Sequence, residues 1–153
     1  MKNGTVSDED RQAIEDVIHQ FYWLVDHGRA AETAALFTAD ARMIFGPGSP
    51  SPGVVEGDAI PGAMQARQAQ SHVTTRHVLS NIRMNANEDG SVACDTLLTL
   101  FRSESDVLDT IPAIVADIRE VFVKDAGDWK MQEREILPVF NRQAAGSTGA
   151  ITQ

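Results

Sequence analysis

The chain lacks nearly everything that would staple a fold or hold a polyanion. It has one cysteine, Cys94, so no internal disulfide can form, and no cysteine/histidine cluster has the spacing of a structural zinc site. Basic residues are scarce: thirteen Lys and Arg against twenty-two Asp and Glu leave a formal charge of −9. Nucleic acid and anionic membrane surfaces are bound by basic faces, so neither is an expected partner. No eighteen apolar residues run together, and the polar, acidic stretch from Met1 to Asp10 has no apolar leader segment. The expectation is a soluble, cytoplasmic protein. Tyr22 is the only tyrosine. No glycine-rich phosphate loop, Ser-His-Asp order or two-histidine metal motif occurs, so no cofactor and no metal is expected.

What is present is ordinary globular material. The 153 residues are 42% hydrophobic and 23% charged, which excludes wholesale disorder and suffices for one domain with its own core. Ser7 and Asp10 read as a capping box, and Asp8, Glu9 and Asp10 put negative charge where a helix dipole favours it. Ile14, Val17, Ile18, Phe21 and Val25 then recur at helical spacing as one buried stripe, and Gly28 suits the left-handed position that ends such a helix. A short helix is expected over about 30–37, a short strand over 41–45 and a Pro/Gly loop over 46–53. A third helix should run from an Asp58 cap through Ala69, with Pro61 tolerated in its first turn.

From Val73 onward the hydrophobic period changes to two. Strands are predicted over about 74–85, 91–102, 113–124 and 129–140, with hairpin turns at Glu88-Asp89-Gly90 and Asp125-Ala126-Gly127-Asp128. The polar segment 103–112 reads as a rim loop, and 141–153 as a flexible tail behind a single domain over 1–140. Helices first and antiparallel strands afterwards spell an α+β fold.

Several runs in this order resemble a known family. They are Phe21-Tyr22-Trp23-Leu24-Val25-Asp26-His27-Gly28, Leu36-Phe37-Thr38-Ala39-Asp40-Ala41, Glu56-Gly57, Thr75-Arg76-His77-Val78-Leu79-Ser80-Asn81 and Gly127-Asp128-Trp129-Lys130-Met131. Over about 10–140 they look like the SnoaL-like branch of the NTF2-like superfamily. The resemblance implies a cystatin-like cone, with N-terminal helices packed in the concave face of a curved, mainly antiparallel sheet and a hydrophobic pocket at its mouth. Relatives of this kind include polyketide cyclases, dehydratases, dehydrochlorinases, isomerases, epoxide hydrolases, dioxygenase small subunits and non-catalytic binders, so fold and function are separate questions.

His77 and Asp26 are the candidate catalytic residues. Asp26 lies one helical turn after Tyr22, on the flank of the apolar stripe, where a carboxylate can look into a pocket and needs compensation at a helix C-terminus. His77 falls in an alternating strand with Thr75, Leu79 and Asn81 on its face, while Val78, Ser80, Ile82 and Met84 point the other way. A lone histidine is often only a hydrogen-bonded core residue. The resemblance implies more: its position matches the family's base, with Asp26 orienting the ring.

Candidate substrate-binding residues are Tyr22, Asn81 and Asp117, each with a structural alternative. Tyr22 can donate to a substrate oxygen or be a core tyrosine with its hydroxyl at the rim. Asn81 can polarise a carbonyl or satisfy backbone groups. Asp117 either pairs with Arg119 on its own strand face or lines the cavity. His19, His27 and His72 read as surface residues, Cys94 as a small buried hydrophobe, and Trp23, opposite the core stripe, as a subunit contact.

Two functions fit these residues. One is a cofactor-independent lyase or isomerase that removes a proton from a small hydrophobic ring compound. The other is a non-catalytic binding or scaffold domain, including a dioxygenase small-subunit-like role. A homodimer or homotrimer is expected, because Val78, Ile82 and Met84 would leave an apolar stripe on the outer sheet face.

Overall fold

Ser7 fixes where the chain first turns helical. In the structure, a computed structural model that describes residues 4–105 and 110–142, its Oγ accepts the Asp10 amide at 3.1 Å and donates to the Asp10 carboxylate at 2.8 Å. Helix α1 follows, Asp8–Asp26, with Ile14, Ile18, Phe21 and Val25 buried as the spacing requires. It stops at Gly28, which takes φ +73° and lets the Arg29 amide bond back to the Leu24 carbonyl at 2.8 Å. That stop leaves Asp26 as the last helical residue.

A 3-10 helix, Ala30–Leu36, and α2, Ala59–Ala69, complete the helical layer. Asp58 precedes α2 as expected, but its side chain makes no capping bond. The strands are β1 (Phe37–Phe45), β2 (Gly53–Glu56), β3 (Thr74–Ala86), β4 (Val92–Ser103), β5 (Pro112–Asp125) and β6 (Asp128–Asn141). β1 begins earlier than expected. β2 was not expected at all, since four residues are too few to show a period.

The sheet order is β2-β1-β6-β5-β4-β3, and every neighbouring pair is antiparallel except the parallel pair β1–β6. The helices pack on one face of this curved, open sheet. There the α1 stripe meets Met84, Cys94, Ile118, Phe122 and Met131 in one core. The expected rim loop is described only at its two ends, and the expected tail beyond residue 142 lies outside the described residues. No helix among the described residues is long and apolar enough to cross a membrane.

One detail of β3 overturns an expectation. The β3–β4 register shifts between Ser80 and Arg83, and Asn81 takes φ +56° there. This bulge inserts an extra residue, so the alternation flips. Thr75, His77 and Leu79 face inward before it, whereas Met84 faces inward after it, 8% exposed, and Ile82 packs against the core. The outer stripe expected from Val78, Ile82 and Met84 therefore shrinks to Val78, 52% exposed. Trp23 is exposed, with its ring stacked on His27 at 4.0 Å.

Candidate active site

The end of α1 lies against the start of β3, and Asp26 is the joint between them. Its Oδ2 accepts the His77 amide at 2.8 Å; its Oδ1 accepts the Thr75 hydroxyl at 2.7 Å and the His77 ring at Nδ1, 2.6 Å away. Arg76 donates to the Asp26 main-chain carbonyl at 3.0 Å, bringing a cation to a helix end that has no basic residue in its last turn. Burial alone would raise the Asp26 pKa. The bond from the His77 ring, the charge of His77, and the His77 amide and Thr75 hydroxyl outweigh it and hold the carboxyl below its ordinary value. An ionised Asp26 takes an N–H from Nδ1, which leaves Nε2 as the ring's proton acceptor. No hydrogen bond among the described residues engages Nε2.

Tyr22 lies beside this pair, its ring centroid 4.9 Å from that of His77. Its hydroxyl accepts from Arg134 Nη2, and Arg134 Nη1 donates to Glu120. Arg134 also lies over the faces of Phe21 and Tyr22, at 4.4 and 4.9 Å. Burial pushes the Tyr22 pKa up to about 12, against the opposing pull of the Arg134 charge. The phenol stays neutral. Because it accepts from Arg134, its own proton is free for another acceptor. Burial likewise raises the Glu120 pKa, while Arg134 keeps its charge against burial through the Tyr22 and Glu120 oxygens.

His77, Tyr22 and Arg134 line a cavity of about 750 Å³ between helices and sheet. Its walls are otherwise mostly apolar, from Phe21, Val25, Met43, Leu98, Ile114 and Ile136. This volume is within the range of small-molecule pockets, roughly 300–1,000 Å³. Among the described residues, no three His, Cys, Asp or Glu side chains are grouped to hold a metal ion. Cys94 is buried, its thiol pushed up to about 12 chiefly by that burial.

Asp26, His77 and Tyr22 thus come together. Asn81 and Asp117 do not, which corrects both expectations. The bulge turns Asn81 outward, and the inward face of β5 is Ala116, Ile118, Glu120 and Phe122. Asn81 and Asp117 line a separate depression on the outer face. Sequence reading missed Thr75, Glu120 and Arg134. Glu120 did leave a signal: from Ile114 to Phe122 it is the one charge in an alternate-residue series that is otherwise apolar.

Three helices on a curved, open, mixed sheet with a polar-edged cavity between them make up an α+β protein with the NTF2-like, cystatin-like fold. The SnoaL-like domain matches residues 7–135, and the chain belongs to that family. No curated protein matches it. Among solved structures it is similar to ActVI-ORFA from Streptomyces coelicolor, at 17% identity over 84% of this chain and 96% of that one, with a TM-score of 0.73. It is similar to an NTF2-like protein with a cystatin-like fold from Novosphingobium aromaticivorans, at 19% identity, 94% and 90% coverage and a TM-score of 0.70. A protein from Catenulispora acidiphila in complex with S-DNPA matches at 20% identity, 91% and 99% coverage and a TM-score of 0.73. Identities this low establish the shared fold.

Proposed function

We propose that the protein is a cofactor-independent lyase or isomerase that removes a proton from a carbon of a small hydrophobic ring compound. The observation that carries this reading is the 2.6 Å bond between Asp26 and His77 Nδ1 at the wall of an apolar cavity. The C–H bond breaks toward Nε2, and the electron pair moves onto a carbonyl oxygen or expels a leaving group. Asp26 holds the tautomer and stabilises the imidazolium. The neutral Tyr22 hydroxyl, polarised by Arg134, donates to the oxygen that gains charge. In an isomerisation the imidazolium returns its proton at another carbon; in an elimination the leaving group departs with the electron pair. Membership of a family whose relatives include cyclases and dehydratases supports this class of chemistry.

A generic carbon acid tests the base without knowledge of the substrate. With 5-nitrobenzisoxazole, loss of the ring proton breaks the N–O bond and releases a coloured phenolate. The protein is expected to accelerate this reaction well beyond free imidazole at equal concentration, and His77→Ala to remove the gain. Binding of the probe without acceleration would replace the enzyme reading with a ligand-binding domain. The proposal extends to a homodimer or homotrimer through the outer sheet face, supported by exposed Val78 and Leu97. Sedimentation as a monomer at micromolar concentration would remove that extension.

A further inference from the structure

We infer that the cavity has a second recognition element beside the dyad: a carboxylate subsite made by Arg67 of α2 and Arg102 of β4. The inference rests on the cavity being the ligand site, as proposed above, and specifies the class of ring compound as a cyclic or aromatic carboxylate.

Thr75 brings the two arginines together. It is the register partner of Arg102 across β3 and β4, and its hydroxyl accepts from Arg67 Nη2 at 3.1 Å. Both arginines line the cavity, and both are partly buried. Arg102 Nη2 donates to Glu104, a largely exposed carboxylate, at 2.9 Å. Its Nε is buried and has no acceptor among the described residues. Buried donors without acceptors are rare in native proteins, because each forfeits its hydrogen bond. The guanidiniums are close enough that burial first, and then the Arg102 charge, lower the Arg67 pKa, against the opposing pull of Asp26.

The carboxylates already near this edge do not answer it. Asp26 has accepted three donors from Thr75 and His77, and Glu104, largely exposed at the cavity edge, takes one bond from Arg102. Of the two arginines only Arg102 is bonded to a carboxylate, the exposed Glu104, while Arg67 donates to the Thr75 hydroxyl. A ligand carboxylate placed between them supplies acceptors in the geometry a guanidinium fork prefers. Its position is also informative. Thr75 and His77 are two residues apart on one strand face, a span of about 7 Å. That is the width of a ring, so a carboxylate held at the arginines puts the far side of its ring at the His77 base.

Calorimetry with 2-naphthoate and its neutral amide, 2-naphthamide, on the full chain at low ionic strength tests the subsite. The acid is expected to bind about tenfold more tightly than the amide, equivalent to about 1.4 kcal/mol. In R67Q/R102Q the preference should vanish while the amide binds as before. R67Q alone, at a partly exposed position, should lose about half the logarithmic preference and serves if the double variant fails to fold. His77→Ala, which tests the base, should keep the preference. Equal affinity for acid and amide, or a preference that survives in the arginine variants, overturns the subsite and leaves the dyad reading standing. Failure of both compounds to bind at millimolar concentration overturns the subsite and the ring-binding cavity together.

Discussion

The sheet carries a polar cluster on each face, and the two could hardly be less alike. On the inner face two hydrogen-bonded groups, Asp26 with His77 and Arg134 with Tyr22 and Glu120, meet at the Tyr22 and His77 rings beside a mostly apolar cavity. On the outer face Asn81, Arg83, Asp95, Asp117 and Arg119 line an open depression of about 350 Å³. Both clusters hold acids and arginines. Inside, water is replaced by fixed donors, so a proton acceptor can be set in one orientation and a phenol kept neutral. Outside, water competes for every group and screens every charge. Position relative to solvent, more than residue type, gives the inner cluster its chemistry.

The sharpest way to break this comparison is to exchange the roles. His77→Ala is expected to lower turnover of 5-nitrobenzisoxazole by about two to four orders of magnitude, the range for a positioned general base. Asp26→Asn should cost a similar amount, and the double variant little more, because the two act as a unit. Asp117→Asn, on the outer face, should leave turnover within about twofold, in line with the small effects of most surface substitutions. A cost at Asp117 equal to that at His77 would erase the distinction between the faces.

Stability should divide the faces in the same way. Glu120→Leu leaves the buried Arg134 without its carboxylate and is expected to cost about 3–5 kcal/mol in chemical denaturation. Glu120→Leu with Arg134→Met should recover most of that loss, since replacing a buried ion pair whole by apolar groups is often neutral. Asp95→Asn on the outer face should change stability by about 0.5 kcal/mol or less. A small effect at Glu120 would mean that water reaches the inner pair.

Most of the fold was legible because its signals are local and repeated. The α1 stripe, its Ser7 start and its Gly28 stop follow from spacing and capping chemistry, and the period of two marked four strands to within a residue or two. The dyad was legible only through resemblance, since nothing in the spacing from 26 to 77 says that these residues meet. Asn81 and Asp117 show what a pattern withholds. Alternation states which residues share a face, but the choice of face depends on neighbours supplied by other strands. Asp117 interrupts an apolar run in the linear sequence and so draws the eye, whereas Glu120 interrupts the apolar face in space. The two arginines on Thr75 come from α2 and β4, and no sequence spacing connects them.

A spectroscopic measurement sharpens the inner half of the comparison. Tyr22 is the only tyrosine, so tyrosinate absorbance reports this site alone. Its midpoint is expected at about 12 in the folded protein, raised chiefly by burial, against about 10 in denaturant. The folded pKa lies above the unfolded one, so the associated stability is fully present below about pH 10 and fades as pH approaches about 12. Asp26 has the opposite sign. Its folded pKa is depressed, so its contribution is present above the ordinary carboxylate range, about 3.9, and is lost as pH falls through the lower folded value. An unshifted tyrosine midpoint would place the hydroxyl in water.

The smallest expected effect concerns the bulge that separates the faces. Asn81 takes φ +56°, a left-handed conformation that asparagine tolerates and glycine adopts freely. Asn81→Gly should therefore leave stability within about 0.5 kcal/mol, relief of backbone strain offsetting lost chain stiffness. Asn81→Val puts a β-branched residue where the left-handed region is most costly and should lose about 1–2 kcal/mol. The loss has a structural floor. The chain cannot escape the strain by removing the bulge, because a regular strand would carry Met84 and Ile82 from the core to the outer face. Thermal melts of the two variants measure the difference. Equal melting temperatures for glycine and valine would show that the backbone at 81 is not left-handed, and the alternation through β3 would then be unbroken.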